Sequence, residues 1–472
     1  MWLAFAAFVA SHTRADPDLF ANVRFGLDML DARAPTVDER YAFTAETPFV
    51  NHEWLSEVFI ALAWLGGGAT GLVVLKLILA LAVWWPIDRI LAASAAHLRA
   101  AGPLLVVGAM STWGNNLRAQ SFSFVAFAIL LWMLHRSTER TSVLWGLPVL
   151  FACWVNLHGG WLVGGLTLAI WTGCRMVFDA DRALGMRALA AGTASLLATL
   201  FNPHGVEMLE FLRTTVGFSR TDITDWQPIH RAGIAAAITW AASSVVLLMA
   251  LRQPGRLALH WTTVLLVLAG ASARVSRITV FFALAVVAVA LPCALRSRPR
   301  RPSAVMPRAA ALTGIALALV VGSALTWRNS GCIHMDGPWV PDIETSQAML
   351  ALPPGRMVPF FDWGHLVIWH RRGDLKVSMD GRRETVYGNA TLTRHHELYR
   401  SEPGADGYPE ALNADYVWLP RRFPVVARLE DRGWRAVAQG SRGSLLVRPG
   451  LDLAIAPASA DRVPLRRCFP GP

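Results

Sequence analysis

Short polar patches interrupt an otherwise apolar chain, and their residue types are those of acid–base and anion chemistry. Asp16-Pro17-Asp18 follows directly on an opening apolar run, and Asn51-His52-Glu53-Trp54 stands just before the next one, so the two patches between them bring three carboxylates and a histidine. A carboxylate can take a proton from a hydroxyl, and three of them are the hard oxygen donors that suit magnesium or manganese. Further along, Asn115, Asn116, Arg118 and Gln120 fill one turn, and Asn156 and His158 with Gly159-Gly160 fill another. Asn202 and His204 occupy a third, and Arg274 and Arg277 a fourth. Arginine's planar fork suits phosphate best. Each patch also has a plain local explanation. Pro17 at a first helical position would make the aspartates a solvated helix start, Asn202-Pro203-His204-Gly205 is a turn in its own right, and His158 beside two glycines could simply end a helix.

The elements that must position these groups are membrane spans. Of 472 residues 54% are hydrophobic and 16% charged, a balance no single water-soluble core could hide. Runs near the ~20 residues that cross a hydrocarbon core recur: Ala69–Ile87, Ile90–Met110, Phe122–Leu134, Val143–Asn156, Trp161–Phe178, Ala188–Phe201, Ile234–Leu251, Leu259–Ala271, Ile278–Leu295 and Ala309–Trp327. The chain therefore reads as an α-helical polytopic membrane protein with about 10–11 transmembrane helices. The opening run Met1–Ala10 is half a span, which points to missing upstream residues or a curtailed helix; a signal peptide would need a positive n-region that is not there. The net charge of +11 comes from arginines scattered between apolar runs, with Lys76 and Lys376 the only lysines. No basic stripe forms, and nucleic acid is excluded as a partner on that ground.

Arginines fall on every second loop: Arg89 and Arg99, Arg136 and Arg140, Arg175 to Arg187, Arg252 and Arg256, and Arg296–Arg301 with Arg308. The positive-inside rule then makes these loops and the N-terminus cytoplasmic. It places outside the loop Ser11–Glu53, the turns near Asn115, His158 and Arg274, the segment Asn202–Arg231 and everything after Arg328. Arg118, Arg274 and Arg277 are on the disfavoured side, and misplaced positive charge wants an anionic partner such as a lipid phosphate. From Asn329 proline, glycine and charge rise. Alternating strands at Lys376–Met379, Tyr416–Leu419 and Ser444–Val447, with helical stretches Leu392–Arg400 and Pro424–Arg432, predict a small C-terminal α/β extracytoplasmic domain. The division is thus 1–328 transmembrane and 329–472 outside. Cys153, Cys174 and Cys293 sit in spans as packing residues. Cys332 and Cys468 bracket the outer domain, where an oxidising compartment would let them pair; Cys468 in a loose tail is the plainer expectation.

Taken together, Asp16-Pro17-Asp18-Leu19-Phe20, Asn51-His52-Glu53-Trp54-Leu55-Ser56-Glu57, Arg118-Ala119-Gln120-Ser121-Phe122-Ser123, Trp154-Val155-Asn156-Leu157-His158-Gly159-Gly160 and Asn202-Pro203-His204-Gly205 resemble a large, little-characterised group of bacterial polytopic membrane proteins. The resemblance continues through Phe361-Asp362-Trp363-Gly364 and Asp380-Gly381-Arg382 and covers most of the chain. That group is similar in layout to the membrane-embedded GT-C glycosyltransferases, whose mark is an acidic motif in the first outer loop. The resemblance implies an enzyme of the bacterial cytoplasmic membrane, moving a sugar from a polyprenyl-phosphate donor to an envelope glycan, lipid or protein. On that reading Asp16 or Asp18 is the base and Glu53 a second carboxylate, the three together a candidate magnesium or manganese set. His52, Asn115, Arg118, Gln120, Asn156, His158, Asn202, His204, Arg274 and Arg277 bind substrate, the arginines and His204 steadying the departing phosphate. Two other classes stay open: a non-catalytic envelope-polymer-binding or assembly protein, for which Asp362, Asp380 and Arg382 would matter most, and a lipid or sugar transporter, which the nearly charge-free spans disfavour.

Overall fold

The computed structural model of the chain describes residues 13–36, 38–46, 49–92, 116–179, 181–216, 220, 223–253, 255–295, 331–335, 337, 340–451, 453 and 468–471, with single positions at 316, 320 and 324. The run Met1–Ala10, Asn115, the loop Arg296–Arg308 and most of the expected spans Ile90–Met110 and Ala309–Trp327 lie outside the described residues.

In chain order the helices are α1 (Asp18–Ala32), α2 (Trp54–Leu91), α3 (Gln120–Arg136), α4 (Leu147–Trp154), α5 (Trp161–Phe178), α6 (Arg182–Ala198), α7 (Glu207–Val216), α8 (Ile234–Leu251), α9 (Leu259–Arg274) and α10 (Ser276–Ala294). After them come α11 (Ile343–Leu350), β1 (Gly355–Pro359), α12 (Phe361–Arg371), β2 (Leu375–Val377), α13 (Asn389–Tyr399), α14 (Tyr408–Ala411), β3 (Tyr416–Pro420), α15 (Pro424–Asp431), β4 (Arg435–Gln439) and β5 (Gly443–Val447). The chain forms two compact units, each built from separated segments.

The helical unit takes in Thr70–Val206 and Ser219–Gly331. Among the described residues α2, α5, α8 and α10 are long and apolar enough to cross a membrane. Their outward faces say the same: Ile234, Ile238, Val245 and Leu248 on α8 and Leu162, Leu166 and Val177 on α5 are exposed, an arrangement at home in lipid and not in water. The expected spans at Trp161–Phe178 and Ile234–Leu251 coincide with α5 and α8. Phe281 of α10 meets Phe124 and Phe127 of α3 edge-on at 5.3 and 5.1 Å. Trp154 lies so close to Gly164 that any Cβ there would collide with its ring. Helix α2 breaks at Gly67 and Gly68, and Gly68 at φ 55° needs the freedom of glycine. The passage of the chain from one unit to the other falls there, at Ala69.

The sheet unit comprises Arg14–Ala69, Glu207–Phe218 and Cys332–Pro472. Its five strands are ordered β2-β1-β3-β5-β4, with β1 parallel to β2 and β3, and β5 antiparallel to β3 and β4. Val358, Val417, Leu419 and Leu446 of the sheet pack with Leu398, Val425, Leu429 and Trp434 as one core. The first-loop residues are woven into this unit by backbone pairing. The N–H of Ala15 donates to the His334 carbonyl (3.1 Å), that of Phe43 to Val377 (3.1 Å) and that of Val377 to Tyr41 (2.8 Å). Within that loop the helix start expected at Pro17 opens α1, which is packed and not solvated. Its apolar residues Leu19, Phe20, Val23 and Phe25 are buried, and it packs on α12. Cys332 and Cys468 are disulfide-bonded, with Cα atoms 5.0 Å apart, so the plainer expectation of a loose tail at Cys468 does not hold. The bridge is supported by pairing of His334 with Cys468 and by the Phe469 N–H on the Ile333 carbonyl (2.8 Å).

Candidate functional site

In the sheet unit the two acidic motifs that looked separate in sequence meet. Pro17 precedes α1, and the Asp16 carboxylate, buried, accepts the N–H of Asp18 at 3.1 Å. The Asp18 side chain is 44% exposed and its Oδ1 is 3.6 Å from Nδ1 of His365, itself 5% exposed; on the far side of the ring, Nε2 is 3.5 Å from Asp380, which is wholly buried. The line thus runs from an accessible carboxylate through an imidazole to an inaccessible one. Two glycines permit it. A Cβ at Gly381 would run into the His365 ring, and one at Gly364 into Asp380 and the Met379 carbonyl. These are the glycines of Phe361-Asp362-Trp363-Gly364 and Asp380-Gly381-Arg382.

Asp380 is fixed from several sides. Arg382 grips it with Nε (2.9 Å), Nη2 (2.7 Å) and its own backbone N–H (2.9 Å), and the Tyr387 hydroxyl donates to it at 2.7 Å. Arg382 also pairs with Glu39, from the first loop, and lies 5.0 Å over Phe25 and Phe49. The loop bearing Asp380 is anchored just upstream, where Ser378 contacts His395 Nε2 (2.8 Å) and its carbonyl accepts from Thr44 (2.7 Å). Burial by itself would raise the Asp380 carboxyl, but the Arg382 charge, then His365, hold it far below the ordinary carboxylate range. Burial by itself would lower His365; Asp18 and Asp380 outweigh it and raise the imidazole to about 9. The ring is therefore an imidazolium between two carboxylates at neutral pH. A second buried carboxylate, Asp28, is shared by Arg24, Arg40 and Tyr41, and with Glu39, Asn51 and Arg382 it borders an open pocket.

The Asn51-His52-Glu53 patch precedes α2. Asn51 Oδ1 accepts the Glu53 N–H (3.1 Å), while its Nδ2 donates to Glu57 at 2.6 Å. Glu53 lies 3.4 Å from His52, whose ring packs on Phe211. It is Glu57, not Glu53, that is buried among these charges, within electrostatic reach of Glu53, Arg382 and His365. Asp16 caps Asp18, Asp18 faces His365 and Glu53 faces His52, and no grouping of three His, Cys, Asp or Glu ligands occurs among the described residues.

The helical unit holds a second cluster. Arg118 and Arg277 approach the same buried carboxylate, Asp225, at 3.6 and 3.7 Å. Arg277 Nε donates to Gln120 (3.0 Å), and Arg277 and Arg220 both lie over the Trp226 ring, at 5.9 and 4.3 Å. Nδ1 of His158 accepts the Gly160 N–H at 2.9 Å, so a neutral ring carries its proton on Nε2, 3.2 Å from Arg277 Nη2. Two donors stand side by side there. Ser123 braces the ring (2.8 Å) and accepts from the Trp154 indole (2.7 Å).

The remaining expected residues are placed differently. Asn156 donates to the Ala152 and Phe201 carbonyls, tying two turns together. Asn202 closes its own turn, bonding Thr199 and Gly205 and capping the His204 N–H. Arg274 is exposed in the last turn of α9. Residues the sequence reading passed over are His365, Glu39, Glu57 and Asp225. Glu57 stood in a quoted motif; Asp225 and Glu39 carried no local signal, and His365 lay inside an apolar run.

No family model and no curated protein sequence matches the chain. Among solved structures, ArnT from Cupriavidus metallidurans in the apo state aligns with a TM-score of 0.52 at 14% identity, over 93% of this chain and 95% of that one. The chain thus has a solved structural counterpart over nearly its whole length. At this identity the likeness is one of fold.

Proposed function

We propose that the chain is a glycosyltransferase of the bacterial cytoplasmic membrane, with about ten or eleven spans, a cytoplasmic N-terminus and its sheet-bearing region outside. It moves a sugar from a polyprenyl-phosphate donor to an envelope glycan, lipid or protein. The observation that carries this reading is the cluster in which Arg118 and Arg277, with Gln120 and His158, gather around the Asp225 carboxylate, in a chain whose fold is similar to that of ArnT. Paired guanidinium forks beside a histidine donor are what a phosphate leaving group requires as charge builds on it. Asp18 is the base: it takes the acceptor hydroxyl's proton as that oxygen bonds to the anomeric carbon and the bond from that carbon to the lipid phosphate breaks. Asp16 serves it by fixing its backbone. A polymer-binding role for Asp380 and Arg382 is poorly supported, since both are buried in their own ion pairs.

The test is transfer of label from polyprenyl-phosphate sugars to an envelope fraction. Asp18→Asn keeps size and hydrogen bonding, and turnover should fall roughly 10²–10⁴-fold with membrane insertion unchanged. Full activity in both Asp16→Asn and Asp18→Asn would remove the carboxylate base.

A further inference from the structure

The sheet, α12 and the Asp380 loop form a fold that could have stood beside the chemistry as a mere appendage. The residues say otherwise. His365 is closed off from solvent, yet its ring spans the gap between Asp18, which is accessible, and Asp380, which is not. A histidine serving only the core would not need clearance from glycines on two separate segments, Gly364 and Gly381, to reach an exposed carboxylate at the start of α1. Nor would its other partner need to be locked by Arg382, Tyr387 and, through Arg382, Glu39.

We propose that His365 is the positioning residue for the Asp18 carboxylate, so that the sheet-bearing fold completes the acid–base group of the transferase. The inference rests on the glycosyltransferase reading for its chemistry and on the Asp18–His365–Asp380 alignment for its geometry. Asp380 faces one ring nitrogen, the other ring nitrogen faces one carboxylate oxygen of Asp18, and Asp16 holds the Asp18 backbone, while the Asp18 side chain stays 44% exposed. The charged groups facing His365 are Asp18 on α1, Asp380 with Arg382 on the loop after β2, and Glu57 on α2. A base held at two points needs no reorientation when the acceptor hydroxyl arrives, and loss of such alignment costs roughly 10- to 100-fold in rate.

The experiment has two arms on the full-length protein in lipid nanodiscs. In the transfer assay, His365→Ala should lower kcat roughly 10- to 100-fold with KM little changed, His365→Gln should recover part of the loss, and adding His365→Ala to Asp18→Asn should cost little more. Independent, multiplying losses, or a rise in KM with kcat intact, would overturn the proposal. The second arm needs no substrate. In histidine-labelled protein followed by NMR, His365 should remain charged above pH 8, and Asp18→Asn should move its titration to lower pH; an unmoved titration overturns the coupling. Formation of the Cys332–Cys468 bridge in each variant reports folding. If the wild type transfers sugar from none of the donors, the functional reading fails, while the titration still decides whether His365 and Asp18 act together.

Discussion

In the sheet unit Arg382 is closed in between Asp380 and Glu39, with Tyr387 completing the carboxylate, and nothing in that arrangement asks for a further charge. In the helical unit Arg118 and Arg277 share Asp225, Arg220 stacks on the adjacent Trp226, and a histidine donor faces the Arg277 fork. The contrast is between a closed ion-pair network in the sheet unit and two arginines on one carboxylate in the helical unit.

Three measurements would break or sharpen this contrast. The largest effect should come from the disulfide, which only the sheet unit has. Cys332→Ser opens a loop with a sequence separation of 136 residues, and loop entropy puts the cost at about 5 kcal/mol. Hydrogen exchange on β1, β3 and β5 should accelerate while that on α5 and α8 stays put. Unchanged protection of the strands would show that the backbone pairing around His334 suffices.

Next comes the buried pair. Arg382→Ala leaves Asp380 charged, buried and without its main counter-ion, a loss of about 3–5 kcal/mol. Arg277, whose side chain is 25% exposed, should cost under about 1 kcal/mol as Arg277→Ala and be felt in donor affinity instead. Equal thermal destabilisation by the two substitutions would erase the distinction.

The smallest of the three is the pH response. The folded pKa of His365 lies above its ordinary 6.5, at about 9, so its stabilisation is complete below pH 6.5 and disappears as pH rises toward 9, up to roughly 3 kcal/mol. Asp380 works in the opposite direction: its carboxyl is depressed, so its contribution is present above the ordinary carboxylate range and lost in acid. Thermal stability of the sheet unit should therefore decline between pH 6.5 and 9, and His365→Asn should flatten that decline. A slope that persists in the variant would place the titration elsewhere.

What sequence reading reached and what it missed divide along physical lines. Long apolar runs declare themselves, hence α5 and α8; strands alternating between turn residues do too, and β3 and β5 were found within a residue or so of their ends. Pro17 marks the start of α1, but its extent is hidden because Arg24, Asp28 and Asp31 make a polar stretch look like loop, when Arg24 and Asp28 in fact pair one turn apart. Four of the expected binding residues, Arg118, Gln120, His158 and Arg277, do gather, for arginines between apolar runs are visible in a charge pattern. His365 was invisible because a histidine in an apolar run has no period, and its partners Asp18 and Asp380 are distant in sequence. Glu57 stands in the same motif as Glu53, but its burial follows from the side of α2 it faces, which the motif alone does not reveal.

The segmented make-up of the sheet unit sets a clock on biosynthesis. Asp18 emerges from the ribosome before nearly all the membrane helices, whereas His365 follows them, an interval on the order of half a minute at ordinary translation rates. Cys468 arrives later still. Throughout insertion the proposed base is an unaligned carboxylate on a solitary amphipathic helix, and the long-range pairing that orders it must await chain completion. Transferase competence and oxidation of the bridge should accordingly appear together, at the close of synthesis, so that a chain stalled midway carries its first acidic motif without the means to use it.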